Sequence, residues 1–151
     1  HGGGQEGNRR SGTEGMPQIV SMGVASALRA EKREESQRHM AALRQSLIEG
    51  LSAMPCPVRI NSPRNGAAHI LNISPEKGRS EVLLRVLSDE GVYVSGGSAC
   101  ARGRRSHALE AMKLPAAAID AALRVSFCPE NTQEDVKAFL AGLQKALGFF
   151  L

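Results

Sequence analysis

The sequence predicts a small α+β domain: a short mixed or antiparallel sheet with helices on one face, preceded by a long helix and a Gly-rich arm. Three observations predict it. Apolar residues recur at helical spacing in two long stretches, Met40, Leu43, Leu47, Leu51 and Val136, Phe139, Leu140, Leu143, Leu147. Between these stretches lie short β-branched runs punctuated by Pro, Gly and Asn. The first seven residues hold four glycines and almost no apolar side chain. Helices that each carry one apolar stripe, and strands too few for a barrel, bury their apolar faces best as a two-layer packing.

Residues 1–16 (HGGGQEGNRRSGTEGM) form the arm, either a loop around a ligand or a disordered leader. From Pro17 to about Met54 the pattern is helical, with Pro17 in a first-turn position. Ile19, Val20, Met22, Gly23 and Ala27 line one side of its early part, the run 31–38 (EKREESQR) is a solvated face, and Pro55 and Pro57 end it. Val58–Asn61 and Ala68–Ser74 read as strands joined by a turn at Ser62–Gly66. Ser80–Glu90 reads as a helix with Val82, Leu83, Val86 and Leu87 inward, and Gly91 stands where a helix-terminating glycine belongs. Val92–Val94 reads as a third short strand. A loop over Ser95–Arg105 follows, then a short helix capped by Ser106. Leu123–Cys128 reads as a fourth strand, and Thr132 with Asp135 resembles a capping box opening the last helix. The domain assignment is an arm, 1–16, belonging to a larger domain, and a small C-terminal domain, 17–151, that includes the long linking helix.

With 151 residues, 42% of them hydrophobic, the chain has enough apolar material for one domain with an aliphatic core. The net charge of +4 raises nucleic-acid binding as a possibility. Aromatics are only 3% with no Trp, which leaves little surface for base stacking, and the basic residues are scattered apart from Arg102, Arg104 and Arg105. Nucleic acid is therefore not expected as a partner. No run approaches the ~18 apolar residues of a membrane span. Three cysteines, an odd number with no zinc spacing, suggest free thiols in a reducing cytoplasm. No metal site is expected, since His1, His69 and His107 show no paired spacing. His69 is expected to be packed or hydrogen-bonded and His107 exposed near a helix start.

Three positions carry candidate chemistry. Cys100 lies in Ser95–Gly103 (SGGSACARG), small residues before the thiol and arginines after it. Guanidinium groups favour thiolate, the nucleophilic form. From the residues alone, a reactive thiol and an inert turn cysteine both remain open. Arg124 interrupts an apolar strand, either as an outward residue of the alternation or as a fork for a carboxylate. Gly12 and Thr13 offer an amide and a hydroxyl of the kind that hold phosphate, or simply form a loop. Cys56 and Cys128 are assigned structural roles.

Four stretches in order resemble the NifS/IscS-like cysteine desulfurases, of the class V aminotransferase group of fold-type-I pyridoxal-phosphate enzymes. They are 1–13 (GGGQE through RSGT), 91–100 (GVYVSGGSAC), 106–112 (SHALEAM), and 123–127 (LRVSF) with 131–136 (NTQEDV). The resemblance implies a C-terminal segment of such an enzyme. L-cysteine would be the substrate and pyridoxal phosphate the electron sink. Cys100 would be the catalytic nucleophile that takes sulfur as a persulfide and passes it to an acceptor such as an iron–sulfur scaffold. Arg124 would bind the substrate carboxylate. Thr13 and Gly12 would contact the cofactor phosphate, that of the neighbouring subunit in a homodimer. Gly96 stands where the family's loop has a second Ser, and the stretch from Cys100 to Ser106 is short. The family's cofactor lysine, its aspartate for the pyridine nitrogen and its stacking histidine lie upstream of the GGGQE segment, and Lys32, Lys77, Lys113, Lys137 and Lys145 match none of them. The 151 residues alone are therefore expected to be inactive. A non-catalytic thiol module that relays sulfur, and a selenocysteine lyase-like enzyme, are the alternatives.

Overall fold

The computed structural model describes residues 2–97 and 105–150. It divides into two compact units, His1–Glu35 and Ser36–Leu151.

The first unit contains α1 (Gln5–Asn8), a single turn, and α2 (Met16–Glu31). The arm is not featureless: the Gly12 N–H donates to the Gln5 side-chain oxygen at 3.2 Å, closing residues 5–12 into a ring. Pro17 falls in the first turn of α2, as its missing N–H allows. None of the apolar side predicted for this helix is covered: Ile19, Val20, Met22, Gly23 and Ala27 are all exposed, and so are Met16, Val24 and Leu28.

The predicted single helix is two. Lys32 leaves helical geometry at φ −103°, ψ 9°, and α3 (Arg33–Ser52) begins beyond it. No Gly or Pro marks this break. Glu34 and Glu35 enter the first turn of the new helix, where carboxylates favour the positive end of the dipole.

In the second unit the remaining elements are β1 (Val58–Ile60), β2 (Ile70–Pro75), α4 (Ser80–Asp89), α5 (His107–Ala111), α6 (Ala116–Asp120), β3 (Leu123–Ser126) and α7 (Gln133–Gly148). The sheet is antiparallel throughout, in the order β1-β2-β3. Registers Leu71↔Val125 and Ile73↔Leu123 put four apolar residues on one face, and Asn72↔Arg124 puts polar ones on the other. The apolar face packs against the stripes of α3, α4 and α7. Leu43, Leu47, Leu83, Leu87 and Leu143 form one cluster with Leu71, Ile73 and Leu123, each 0–1% exposed. The stripes expected for α3 and α7 face the core, with Leu43, Leu47, Leu51, Val136, Phe139, Leu143 and Leu147 buried and Met40 and Leu140 half-buried. In α4, Leu83 and Leu87 are inward but Val82 is exposed, because one helix face reaches the core and Val82 lies beside it.

Two helix ends follow their local chemistry, whereas Ser106, expected to cap α5, stands at its N-cap without a side-chain hydrogen bond to the helix. Gly91 has φ +76°, its N–H reaches the Ser88 carbonyl at 3.0 Å and the Val92 N–H the Leu87 carbonyl at 2.8 Å, a Schellman closure of α4. The capping box at Thr132 and Asp135 forms, with the Thr132 N–H donating to the Asp135 carboxylate at 2.8 Å.

A further expectation is corrected. Val92–Val94 is not a strand: only Ser95 bridges to Arg124, and Tyr93 is 82% exposed. Among the described residues the sheet therefore has three strands, and the free edge of the short β3 meets a single residue. Helix α6 was not anticipated. Its carbonyl at Ala118 accepts the Ser74 hydroxyl at 2.6 Å, which covers the polar face of β2 at that point.

Candidate functional site

The site is built around β3. Alternation places Leu123 and Val125 inward and Arg124 and Ser126 outward. Arg124 is flanked on both sides by backbone. Asn72 of β2 lies opposite it in register. On the free edge its N–H donates to the Ser95 carbonyl at 2.6 Å, and the Ser95 N–H donates back to the Arg124 carbonyl at 3.1 Å. The Arg124 side chain is exposed, and no hydrogen bond or ion pair engages it among the described residues. A guanidinium left free on a rigid strand can receive a carboxylate through two parallel N–H donors.

Ser95 opens the cysteine segment. Its hydroxyl donates to the Gly97 carbonyl at 2.6 Å and accepts the Gly97 N–H at 3.3 Å, folding the chain back on itself. Gly96 packs against the start of α4. A Cβ there would stand 3.0 Å from the Leu84 side chain and 3.4 Å from that of Ser80. This close approach gives a physical reason for glycine where the resemblance leads one to expect serine. Cys100, with Arg102 and Arg104, lies outside the described residues. The far end of the segment is marked by Arg105, whose Nε and Nη2 donate to the two carboxylate oxygens of Asp120 at 2.7 and 2.8 Å. The pairing holds the Asp120 carboxyl below its ordinary range, chiefly through the Arg105 hydrogen bond, and raises Arg105.

Behind this edge lies a buried polar chain. The Asn61 side-chain amide donates to the Asn72 side-chain oxygen and to the Ser74 hydroxyl, both at 2.7 Å, and Ser74 passes a hydrogen bond to α6. It links β1, β2 and α6 on the face that carries Arg124. Nothing in the sequence pattern revealed this chain, nor the Arg105–Asp120 pair, because the partners are distant in sequence.

Gly12 and Thr13 lie in the first unit, exposed. Gly12 has φ +103°, a conformation that glycine adopts readily. The Arg10 guanidinium donates to the carbonyls of Gly12 and Thr13 at 3.2 and 3.5 Å. The exposed donor set of Thr13 hydroxyl and Arg10 guanidinium suits the acceptor oxygens of a phosphate.

The other thiols differ from each other. Cys56 is 4% exposed within the core cluster, as a structural cysteine should be. Cys128 is exposed just beyond β3, which removes its assignment as a packed structural residue. His69 is exposed, contrary to the packed or hydrogen-bonded role expected for it; among the described residues its carbonyl accepts the Phe127 N–H at 2.8 Å and its ring is not engaged. His107 is exposed at the start of α5, as expected. Among the described residues no three His, Cys, Asp or Glu side chains gather as metal ligands, and no helix is long and apolar enough to cross a membrane. A cleft of about 280 Å³ lies along the inward side of β3, between Val92, Val94, Phe127 and Phe139. Arg124 and Ser95 do not line it, so it is separate from the polar edge.

Residues 3–139 match the pattern of the family described as Aminotransferase class-V. The chain belongs to this family. The class-V relatives include a protein named cysteine desulfurase IscS from Methanosarcina thermophila, 41% identical over 142 residues, which covers 93% of this chain and 35% of the relative. The cysteine desulfurase of Rhodobacter capsulatus is 34% identical over 148 residues, covering 97% of this chain and 38% of that one. Among solved class-V structures, a NifS-like protein superposes with a TM-score of 0.85 at 34% identity, over 99% of this chain and 38% of its own. A NifS-like protein from Rickettsia africae gives the same TM-score of 0.85 at 28% identity over 97% of this chain. The chain thus spans 35–38% of the length of the first two curated relatives.

Proposed function

We propose that this chain is the C-terminal segment of a pyridoxal-phosphate-dependent cysteine desulfurase and that Cys100 is its sulfur-accepting nucleophile. The observation that carries this reading is the double hydrogen bond between Ser95 and Arg124. Cys100 follows Ser95 by five residues, so peptide geometry confines it within about 17 Å of the strand edge that presents the free guanidinium. A cysteine whose carboxylate is gripped at Arg124 therefore has its own sulfur within range of that thiol.

In this proposal Arg124 binds and orients the substrate carboxylate. Thr13 and Gly12, with Arg10 beside them, hold the cofactor phosphate, in a homodimer that of the neighbouring subunit. Bound pyridoxal phosphate supplies an electron sink. Arg102 and Arg104, next to the thiol in sequence, favour its ionised form. The Cys100 thiolate attacks the sulfur of L-cysteine. An S–S bond forms as the C–S bond breaks, and the electron pair remains on carbon, which takes a proton to give alanine. Cys100 then carries a persulfide and passes its outer sulfur to an acceptor protein such as an iron–sulfur scaffold, in the cytoplasm. The exposed apolar side of α2 supports this helix meeting a further surface in the parent enzyme, since unpartnered apolar surface of this extent normally meets another surface. None of the five lysines matches the family's cofactor lysine, so the 151 residues alone do not turn over cysteine.

Cys100→Ser in the cofactor-loaded parent enzyme tests the assignment. The cofactor absorbance stays and persulfide formation is lost. Release of alanine and sulfide at the wild-type rate refutes it.

A further inference from the structure

The buried polar chain behind β3 fixes which way round its amides stand. The Ser74 hydroxyl has a single proton, and it goes to the Ala118 carbonyl at 2.6 Å, a group that can only accept. The atom of Asn61 that lies 2.7 Å from Ser74 Oγ is therefore a donor, its Nδ2. The other Nδ2 proton meets Asn72 at 2.7 Å, so the Asn72 atom there is the acceptor, Oδ1. Asn61 and Ser74 are 8% and 2% exposed, and Asn61 Oδ1 has no partner among the described residues. Asn72 Nδ2 is thus turned away from β1, to the side of β3, and makes no hydrogen bond among the described residues.

Backbone pairing brings that amide beside Arg124. The Asn72 carbonyl accepts the Asn61 N–H at 2.9 Å, and its own N–H donates to the Ser62 hydroxyl at 2.8 Å, both on the β1 side. The Arg124 N–H and carbonyl are engaged by Ser95 on the opposite edge. Asn72 and Arg124, opposite in register, are therefore a non-hydrogen-bonded pair, the closer kind in an antiparallel ladder, with Cβ atoms about 5 Å apart on one face. We propose that Asn72 is a substrate-binding residue whose Nδ2 donates to the same carboxylate that Arg124 grips, with Asn61 and Ser74 as positioning residues behind it. This rests on the reading of Arg124 as the carboxylate fork. The two donors differ. The Arg124 guanidinium stands on a long, exposed stem without a partner among the described residues, so it can follow a carboxylate to more than one position. The Asn72 amide is half-buried on a short stem and bonded back to α6, so it sets where along the strand the carboxylate comes to rest.

The test is steady-state sulfide release by the cofactor-loaded parent enzyme in the presence of a thiol reductant, with L-alanine as a competitive inhibitor. Alanine has the carboxylate but no sulfur, so its Ki reports the carboxylate site apart from the thiol chemistry. Asn72→Leu is similar in shape and lacks the donor. KM for L-cysteine and Ki for L-alanine are expected to rise together about tenfold, the weight of one hydrogen bond to a charged group, with kcat unchanged. Asn72→Asp keeps an oxygen for Asn61 and alters only the atom on the β3 side. It is expected to raise both constants more than Asn72→Leu does, since a second carboxylate then faces the first. Should Asn72→Leu not fold, Asn72→Asp answers alone. Ser74→Ala, remote from the substrate, lets the Asn61 amide turn and is expected to raise both constants about threefold with kcat unchanged. The proposal is overturned if a folded Asn72 variant keeps the wild-type KM and Ki, if kcat falls in place of binding, or if Ser74→Ala leaves both constants unchanged. Should Arg124→Ala also leave KM unchanged, the carboxylate site itself is misplaced; should it raise KM while the Asn72 variants do not, Asn72 alone is excluded.

Discussion

Replacing Arg124 by alanine probes the substrate end of the site with little disturbance to the fold. The Arg124 side chain is exposed, and its backbone is held by the Ser95 pairing and by the β2 register, neither of which needs the guanidinium. The change in folding stability is therefore within about 1 kcal/mol, the span of strand propensities. Binding is another matter. A bidentate grip on a carboxylate is charge-assisted, and hydrogen bonds to charged groups contribute roughly 1.5–3 kcal/mol. At this exposed edge the lower part of that range applies, so KM for L-cysteine rises about 10- to 30-fold. Arg124→Lys keeps the charge but loses the fork, and falls between the two. The assay is steady-state sulfide release in the presence of a thiol reductant by the cofactor-loaded parent enzyme, with cysteamine as a second substrate. Cysteamine lacks the carboxylate, so its kinetics are indifferent to the substitution. An unchanged KM for cysteine, or an equal loss with cysteamine, would refute the carboxylate role.

Three further outcomes concern the scaffold. Leu47 is fully buried between α3 and the sheet, and Leu47→Ala costs about 3 kcal/mol, read as a lower urea midpoint; a loss below ~1 kcal/mol would mean that the core closes over the gap. Gly91 has positive φ and nothing within 4 Å of an added Cβ. Gly91→Ala therefore costs about 1–2 kcal/mol through backbone strain alone, and Gly91→Asn less, by the same measurement. Asp120 and Asp135 both have carboxyl pKa values below the ordinary range, the first chiefly through the Arg105 hydrogen bond and the second through the Thr132 backbone N–H. For groups depressed in the folded state, stability is present above the unfolded carboxylate pKa and is lost as pH falls through the folded one. The urea midpoint thus declines below about pH 4, and Asp135→Asn flattens that decline; an identical slope in the variant contradicts the assignment.

Local chemistry made much of this protein legible in the amino acids themselves. The stripe Leu43, Leu47, Leu51 marked the buried face of α3. Gly91 marked the end of α4, and Thr132 with Asp135 the start of α7. These signals need only residues three or four apart, so their physics is complete within a short window. The alternation in 123–126 likewise set Arg124 outward before any partner was known, and the ordered segments GGGQE, GSAC and LRVSF were enough to indicate the class-V family.

What the tertiary structure decided depends on residues brought together from far along the chain. Whether Val92–Val94 is a strand turned on how much free edge β3 offers, and only Ser95 finds a partner there. The break at Lys32 carries no Gly or Pro to announce it. Cys128 resembles any thiol after a strand, yet the fold leaves it exposed. The joining of Arg105 to Asp120, and of Asn61, Asn72 and Ser74 to α6, needs the whole second unit assembled first. Hydrogen bonds of that kind are selected by the three-dimensional proximity that the aliphatic core creates, and a linear pattern of residue types contains no record of it.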